Sequence, residues 1–320
     1  MTPPRSADLS PRGLRRRLTV ACYLGGWRVV RLLPERVAYR LFDTLADVAW
    51  LGRRKGVQRL ESNLGRARPG QTPHELRRLS RLAMRSYLRY WCDAFRLPGW
   101  SRARVVDTFR PIGDGPVRET LASGRGVVMA LSHQGNWDHA GAWSTLDLAR
   151  VTTVAERLEP EEVFAAFMAF RERLGMEILA LDEGGLFRTL TRRLRDGGFV
   201  PLLADRDLTS NGVEVDLLGE RARFAAGPAV LAQITGAALV PVSIWYERNA
   251  TSPSGWGGVV RFWPEVAAPD LPARADRVAA MTQACADALG AGIAAHPQDW
   301  HMLQRVFVAD LDAVPARATP

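Results

Sequence analysis

Three scarcities narrow the reading of this sequence before any motif is weighed. Cysteine occurs three times in 320 residues, at Cys22, Cys92 and Cys285. These positions are far apart, odd in number and without paired ligand spacing, which argues against both a disulfide framework and a cysteine-based zinc site. A reducing compartment is the expectation. Lysine is nearly missing: Lys55 stands alone among 43 lysines and arginines, leaving 42 arginines, and the formal net charge is +9. A bias of that kind follows a GC-rich genome, but the sign of the excess still favours anionic partners. Long apolar runs are also missing at the basic N-terminus. The uncharged stretch there spans only residues 18–27, too short to cross a bilayer, and no small-x-small cleavage site follows it.

What is present suits a folded chain of one large domain, since 47% of residues are hydrophobic and no repeat or low-complexity linker interrupts them. Residues 1–110 read as helical. Two cationic, apolar segments, "LRRRLTVACYLGGWRVVRLLP" and the run 37–51, have the outline of membrane-interface helices or of ordinary helices packed on a core. "TPHELRRLSRLAMRSYLRYWCDAFRLP" opens on Thr72 with Glu75 three residues later and stops at Pro98, a capped helix. After Thr120 short apolar runs ("GVVMALS", "EILAL", "FVPLLAD", "ALVPVSIWY", "GGVVRFW") alternate with longer amphipathic segments. The expected fold is α/β: a central, mostly parallel or mixed sheet flanked by helices, with an N-terminal helical membrane-associating segment. The helical region 1–110 and the α/β core 111–320 form one continuous domain in this reading.

In such a fold reactive groups collect where strand ends meet helix starts. "GVVMALSHQGNWDHAG" fits that place, with His133 just past a strand and Asp138 in the first turn of the next helix. A carboxylate there would fix the tautomer of the imidazole and leave its other nitrogen free to take a proton. Two other readings stand beside this one. His133, Asp138 and His139 are a fragment of a metal site without an obvious further ligand cluster, or His133 and Asp138 are simply polar neighbours. Ser132 lacks the glycines that flank a nucleophile elbow. No nucleic-acid-binding motif accompanies the arginines, which are spread through the chain, so nucleic acid is not an expected partner.

"SHQGNWD" resembles the H-x4-D block of the glycerolipid and lysophospholipid acyltransferases, and more closely their bacterial lipid A lauroyl/myristoyl branch. "DRDLTSNGVEVDLLGERARFAAGPAVLAQITGAALVPVSIWYE" resembles the same branch. "TTVAERLEPEEVFAAFMAFRERLGMEIL" and "AAHPQDWHMLQ" are similar to the actinobacterial phosphatidylinositol mannoside acyltransferases, and the likeness covers nearly the whole chain. The resemblance implies transfer of a palmitoyl-type chain from acyl-CoA, as co-substrate and without a cofactor or metal, to a mannose hydroxyl of an anionic mannosylated phosphatidylinositol. The enzyme would be peripheral, at the cytoplasmic face of the plasma membrane. His133 would be the general base and Asp138 its orienter. Asp205 stands where the family usually has a glutamate; this shorter carboxylate either supports His133 or only caps a turn beside Arg206 and Asp207. Arg171 matches a family arginine suited to a phosphate or an oxyanion, with Arg206 and Asp207 as further binding candidates. Phe164 and Phe167 are candidate walls of an acyl tunnel. A lipid A-type glucosamine acceptor, and thioester hydrolysis by a His133-activated water, remain alternatives.

Overall fold

A computed structural model describes residues 20, 25–157, 160–182, 184–207 and 212–312. Residues 14–19 and 21–24 of the first basic, apolar segment therefore lie outside the described residues. From there the chain is helical at 25–32 and then forms α1 (Glu35–Leu51), α2 (Lys55–Ala67) and α3 (Pro73–Arg96). The expected cap of α3 is formed: the Thr72 hydroxyl accepts from the Glu75 N–H at 3.3 Å, and the Glu75 carboxylate accepts from the Thr72 N–H at 2.8 Å. Trp27 packs into the main core against Phe95, Phe167 and Phe170.

The rest alternates. In order come α4 (Arg102–Asp107), β1 (Phe109–Ile112), α5 (Gly115–Ala122), β2 (Val127–Leu131) and α6 (Trp137–Asp147). There follow β3 (Thr152–Ala155), α7 (Glu161–Arg173), β4 (Glu177–Ala180), α8 (Leu186–Arg195) and β5 (Phe199–Leu203). A hairpin of β6 (Val213–Leu217) and β7 (Glu220–Phe224) leads to α9 (Gly227–Thr235), β8 (Ala238–Arg248), β9 (Trp256–Phe262), α10 (Arg274–Ala295) and α11 (Val308–Asp312).

The central sheet has the order β1-β9-β8-β2-β5, parallel except between β8 and β9. The parallel pair β3-β4 continues it, because Val151 bridges Phe199 and the Thr153 hydroxyl donates to the Pro201 carbonyl. The α/β fold with a mixed, helix-flanked sheet is thus as the alternating runs predict. All five residues of β2 are buried, which is why "VVMAL" is a continuous apolar run rather than an alternating one. The helical reading of residues up to 110 ends slightly too late, since β1 begins at Phe109. The β6–β7 hairpin was not foreseen as strands. Its turn is Leu218-Gly219 with φ of 54° and 86°, a backbone usually announced by Asn-Gly or Asp-Gly.

The apolar helix α10 is long enough to cross a membrane, yet Met281, Cys285, Leu289 and Ile293 are buried in the core, so its hydrophobicity has a packing cause.

Candidate active site

Strand pairing creates the site. β2 and β5 are parallel neighbours with Leu131 opposite Leu203. His133 and Asp205 each lie two residues beyond those positions, and so they emerge side by side at the carboxyl edge of the sheet. Asp205 is fully buried; its Oδ1 lies 2.6 Å from His133 Nδ1, and its Oδ2 accepts from the His133 N–H at 2.9 Å and from the Trp300 indole N–H at 2.9 Å. Burial works to raise this carboxyl's pKa, but the charge and hydrogen bonds of His133 and the Trp300 indole hold it below the usual carboxylate value. An ionised carboxylate only accepts, so Nδ1 carries the proton. Nε2, with no protein partner among the described residues, is left as the basic nitrogen.

The C-terminal segment locks this turn. The His301 N–H donates to the His133 carbonyl at 2.7 Å, and the Gly135 N–H donates to the Asp299 carbonyl at 2.8 Å. Gly135 has φ of 64°, and a Cβ there would meet the Ile244 carbonyl oxygen at 2.6 Å, so this turn needs glycine.

Asp138 does not orient His133, contrary to the expectation from the H-x4-D spacing. Its carboxylate, 2% exposed in the first turn of α6, accepts from Arg171 Nε at 2.6 Å, from Arg171 Nη2 at 3.3 Å and from the Tyr90 hydroxyl at 2.8 Å. The reason is geometric: the parallel register delivers Asp205 to Nδ1, while the helix turns Asp138 toward the end of α7. Burial opposes the charge of Arg171, but the Asp138 carboxylate raises the guanidinium's pKa above its ordinary value and keeps it cationic.

His133 lines a cavity of about 310 Å³ together with Tyr90, Trp137, Arg171, Arg206 and His301. Phe164 and Phe167 stand in its wall as expected candidates, both also packed in the core. A narrower apolar slot of about 80 Å³ shares Trp137, Val154, Arg171 and Leu203 with that cavity, and runs on between Met129, Val242 and Val260 of the sheet and Gly141 of α6. Arg206 also bonds Glu156 at 3.0 Å. Asp207 is not among the residues that line this cavity; its carboxylate accepts from the Gly212 N–H at 2.9 Å. His139 is committed elsewhere: its Nε2 lies 2.9 Å from the Val105 carbonyl, its ring sits against Trp100 and Phe109, and burial pushes its pKa down to about 4.

Sequence reasoning had no role for Tyr90 or Trp300. The indole's position in "DWHMLQ" was the signal, but its partner Asp205 lies 95 residues away.

The profile described as bacterial lipid A biosynthesis acyltransferase matches residues 10–308 of this chain. The chain belongs to that family. The lipid A biosynthesis acyltransferase family is thereby matched over nearly the whole sequence, and the chain is an acyltransferase. Two proteins named phosphatidylinositol mannoside acyltransferase are similar to it. The one from Mycolicibacterium smegmatis is 43% identical over 294 residues, covering 90% of this chain and 91% of the relative. The one from Mycobacterium tuberculosis is 43% identical over 296 residues, covering 90% and 88%.

Proposed function

We propose that the protein transfers a fatty acyl chain from acyl-CoA to a mannose hydroxyl of a phosphatidylinositol mannoside, with His133 as general base. The observation that carries the reading is an Asp205-oriented His133 whose Nε2 has no protein partner among the described residues, on the wall of a cavity that shares lining residues with an apolar slot. The acceptor comes from the activity named for both relatives.

The acceptor O–H gives its proton to Nε2 as its oxygen attacks the thioester carbonyl carbon. The tetrahedral intermediate collapses with cleavage of the C–S bond, and the imidazolium returns the proton to the departing thiolate. No acyl-enzyme forms, and the hydroxyl adjacent in sequence, that of Ser132, is buried and 3.4 Å from the Gln134 side-chain oxygen. Arg171, held by Asp138 at the junction of cavity and slot, stabilises negative charge developing at the carbonyl oxygen. The slot receives the acyl chain.

A membrane-surface location, at the cytoplasmic face of the plasma membrane, is part of this proposal. Its support is an exposed apolar stripe on α1, made by Val37, Leu41, Leu45, Val48 and Leu51, with Val29 and Leu32 before it. No packing partner among the described residues covers that stripe.

The test is the purified full chain with labelled palmitoyl-CoA, with mannosylated phosphatidylinositol, with a lipid A-type glucosamine precursor, or with neither. Label moving into the mannoside is expected. Release of free fatty acid regardless of acceptor overturns transfer in favour of hydrolysis, and preference for the glucosamine lipid overturns the acceptor. His133→Ala is expected to remove transfer by about two to four orders of magnitude in a protein that still folds, as its circular dichroism spectrum would show.

A further inference from the structure

A second cavity, larger than the catalytic one at about 540 Å³, lies on the other side of α3. Leu82, Arg85 and Arg89 of that helix face it, whereas Tyr87, Tyr90 and Trp91 line the catalytic cavity. Its remaining walls come from α1, from the ends of β8 and β9 and the connection between them, and from Gln298 and Asp299.

Five arginines surround it: Arg36 and Arg40 from α1, Arg85 and Arg89 from α3, and Arg248 from β8. Among the described residues Arg85 alone of the five is ion-paired, with Asp47. The guanidinium groups of Arg36, Arg40, Arg89 and Arg248 have no carboxylate within ion-pair distance among the described residues, in a protein where many arginines do. Arg89 is half-buried, stacked 3.7 Å from the Trp256 ring centroid and 5.0 Å from that of Tyr246; Arg248 stands 4.0 Å from Trp256. Stacking fixes a guanidinium plane while leaving its N–H edges free to donate, the arrangement that suits a phosphate oxygen. Three carboxylates oppose this field: Asp43 in the wall, Asp299 buried in the floor with its carboxylate held by Ser86 and the Tyr246 N–H, and Asp93 buried behind the wall, accepting from the Tyr39 and Tyr246 hydroxyls within reach of the Arg89 charge.

We propose that this cavity binds a phosphate ester, at a site separate from the catalytic cavity, and that the ester is the headgroup phosphodiester of an anionic phospholipid. The choice of a lipid comes from placement. Arg36 and Arg40 stand next in sequence to Val37 and Leu41, so the cationic wall adjoins the exposed apolar stripe of α1 on one helix. A bilayer meeting the stripe brings headgroups to the cavity mouth. That choice of source rests on the membrane reading given above; the anion site does not.

The experiment compares three full-length proteins: the wild type, a rim variant carrying Arg36→Gln, Arg40→Gln and Arg248→Gln, and a control carrying Arg102→Gln, Arg188→Gln and Arg192→Gln, three exposed arginines far from the cavity in sequence. Both variants lose the same charge. Binding is measured to phosphatidylcholine vesicles with and without phosphatidylglycerol, and to glycerol 3-phosphate by calorimetry. The rim variant is expected to lose about tenfold or more in its preference for the anionic vesicles and to lose glycerol 3-phosphate binding, while the control changes less than about threefold. Loss of glycerol 3-phosphate binding with unchanged vesicle binding overturns the lipid as source and leaves a soluble phosphate ester. Equal losses in rim variant and control, or no loss in either assay, overturn the site. Acyl transfer is not read in any arm, so failure of the proposed reaction does not disturb the result.

Discussion

Replacing Asp205 by asparagine leaves side-chain shape almost unchanged and converts one acceptor oxygen into a donor. Which oxygen is converted follows from the structure. Oδ2 already accepts two N–H groups, from the His133 backbone and the Trp300 indole, both at 2.9 Å. The asparagine carbonyl must occupy that position, since an NH2 there would confront two donors in a fully buried site. The amide NH2 then faces His133 Nδ1, which has to present a lone pair. The ring proton moves to Nε2, and the nitrogen that should take the acceptor proton is no longer basic. A wrong tautomer of this kind in a hydrolase triad costs about 10⁴ in kcat, and we expect a loss of about 10³ to 10⁴ here. At about 1.4 kcal/mol per decade that is roughly 4 to 5.5 kcal/mol of barrier. Asp205→Asn keeps the hydrogen bonds of the buried group, so the unfolding midpoint should stay close to that of the wild type. The assay is single-turnover transfer of labelled palmitoyl-CoA to mannosylated phosphatidylinositol, run beside thermal unfolding. Activity of Asp205→Asn within about tenfold of wild type, with the fold intact, refutes the assignment of Asp205 as orienter.

Three further outcomes follow from the same contacts. Asp138→Asn removes the countercharge of the half-buried Arg171 and is expected to lower stability by about 1 to 3 kcal/mol in urea titration; an unchanged midpoint with lost activity would instead return Asp138 to a direct catalytic role. Gly141→Leu puts side-chain atoms where a Cβ alone already comes 2.6 Å from Met176 Sδ, so it should cut palmitoyl transfer more than about tenfold while sparing octanoyl transfer; equal losses with both donors would mean that the chain does not enter the slot. His139 has its pKa pushed from 6.5 down to about 4 by burial. Its neutral form is favoured by folding, so it contributes stability above pH 6.5 that is lost as pH falls toward 4, on the order of 3 kcal/mol in full. His139→Gln should flatten that acid limb of the urea midpoint, and identical limbs in both proteins would discard the argument.

The sheet could be read from the sequence because a strand buried on both faces is a continuous apolar run, and "VVMAL" and "ALVPVSIWY" are such runs. The β6–β7 hairpin escaped because a leucine, Leu218, occupies a left-handed turn position and hides the turn signal. In the site, the place of His133 after β2 made it a candidate, and the family resemblance gave it the role of base. Its partner was misassigned because chain proximity favours Asp138, five residues on, whereas the true neighbour lies 72 residues away across the parallel register. Short-range spacing is visible in a sequence; strand register and the return of the "DWHMLQ" segment over it are not. Asp205, though a carbon shorter than the glutamate usual in the family, reaches because the backbone of β5 brings it there.

The lock supplied by Trp300 and His301 has a consequence for biosynthesis. The base, its carboxylate and the strands that pair them have all been synthesised by residue 205, but the indole that steadies Asp205 and the amide that holds the His133 carbonyl come from near the end of the chain. A ribosome-bound or prematurely terminated chain that stops before Asp299 has the catalytic residues without their orientation. In the proposed mechanism, orientation of His133 is therefore complete only once residues 299–301 have closed over the turn, and shorter translation products lack a steadied base.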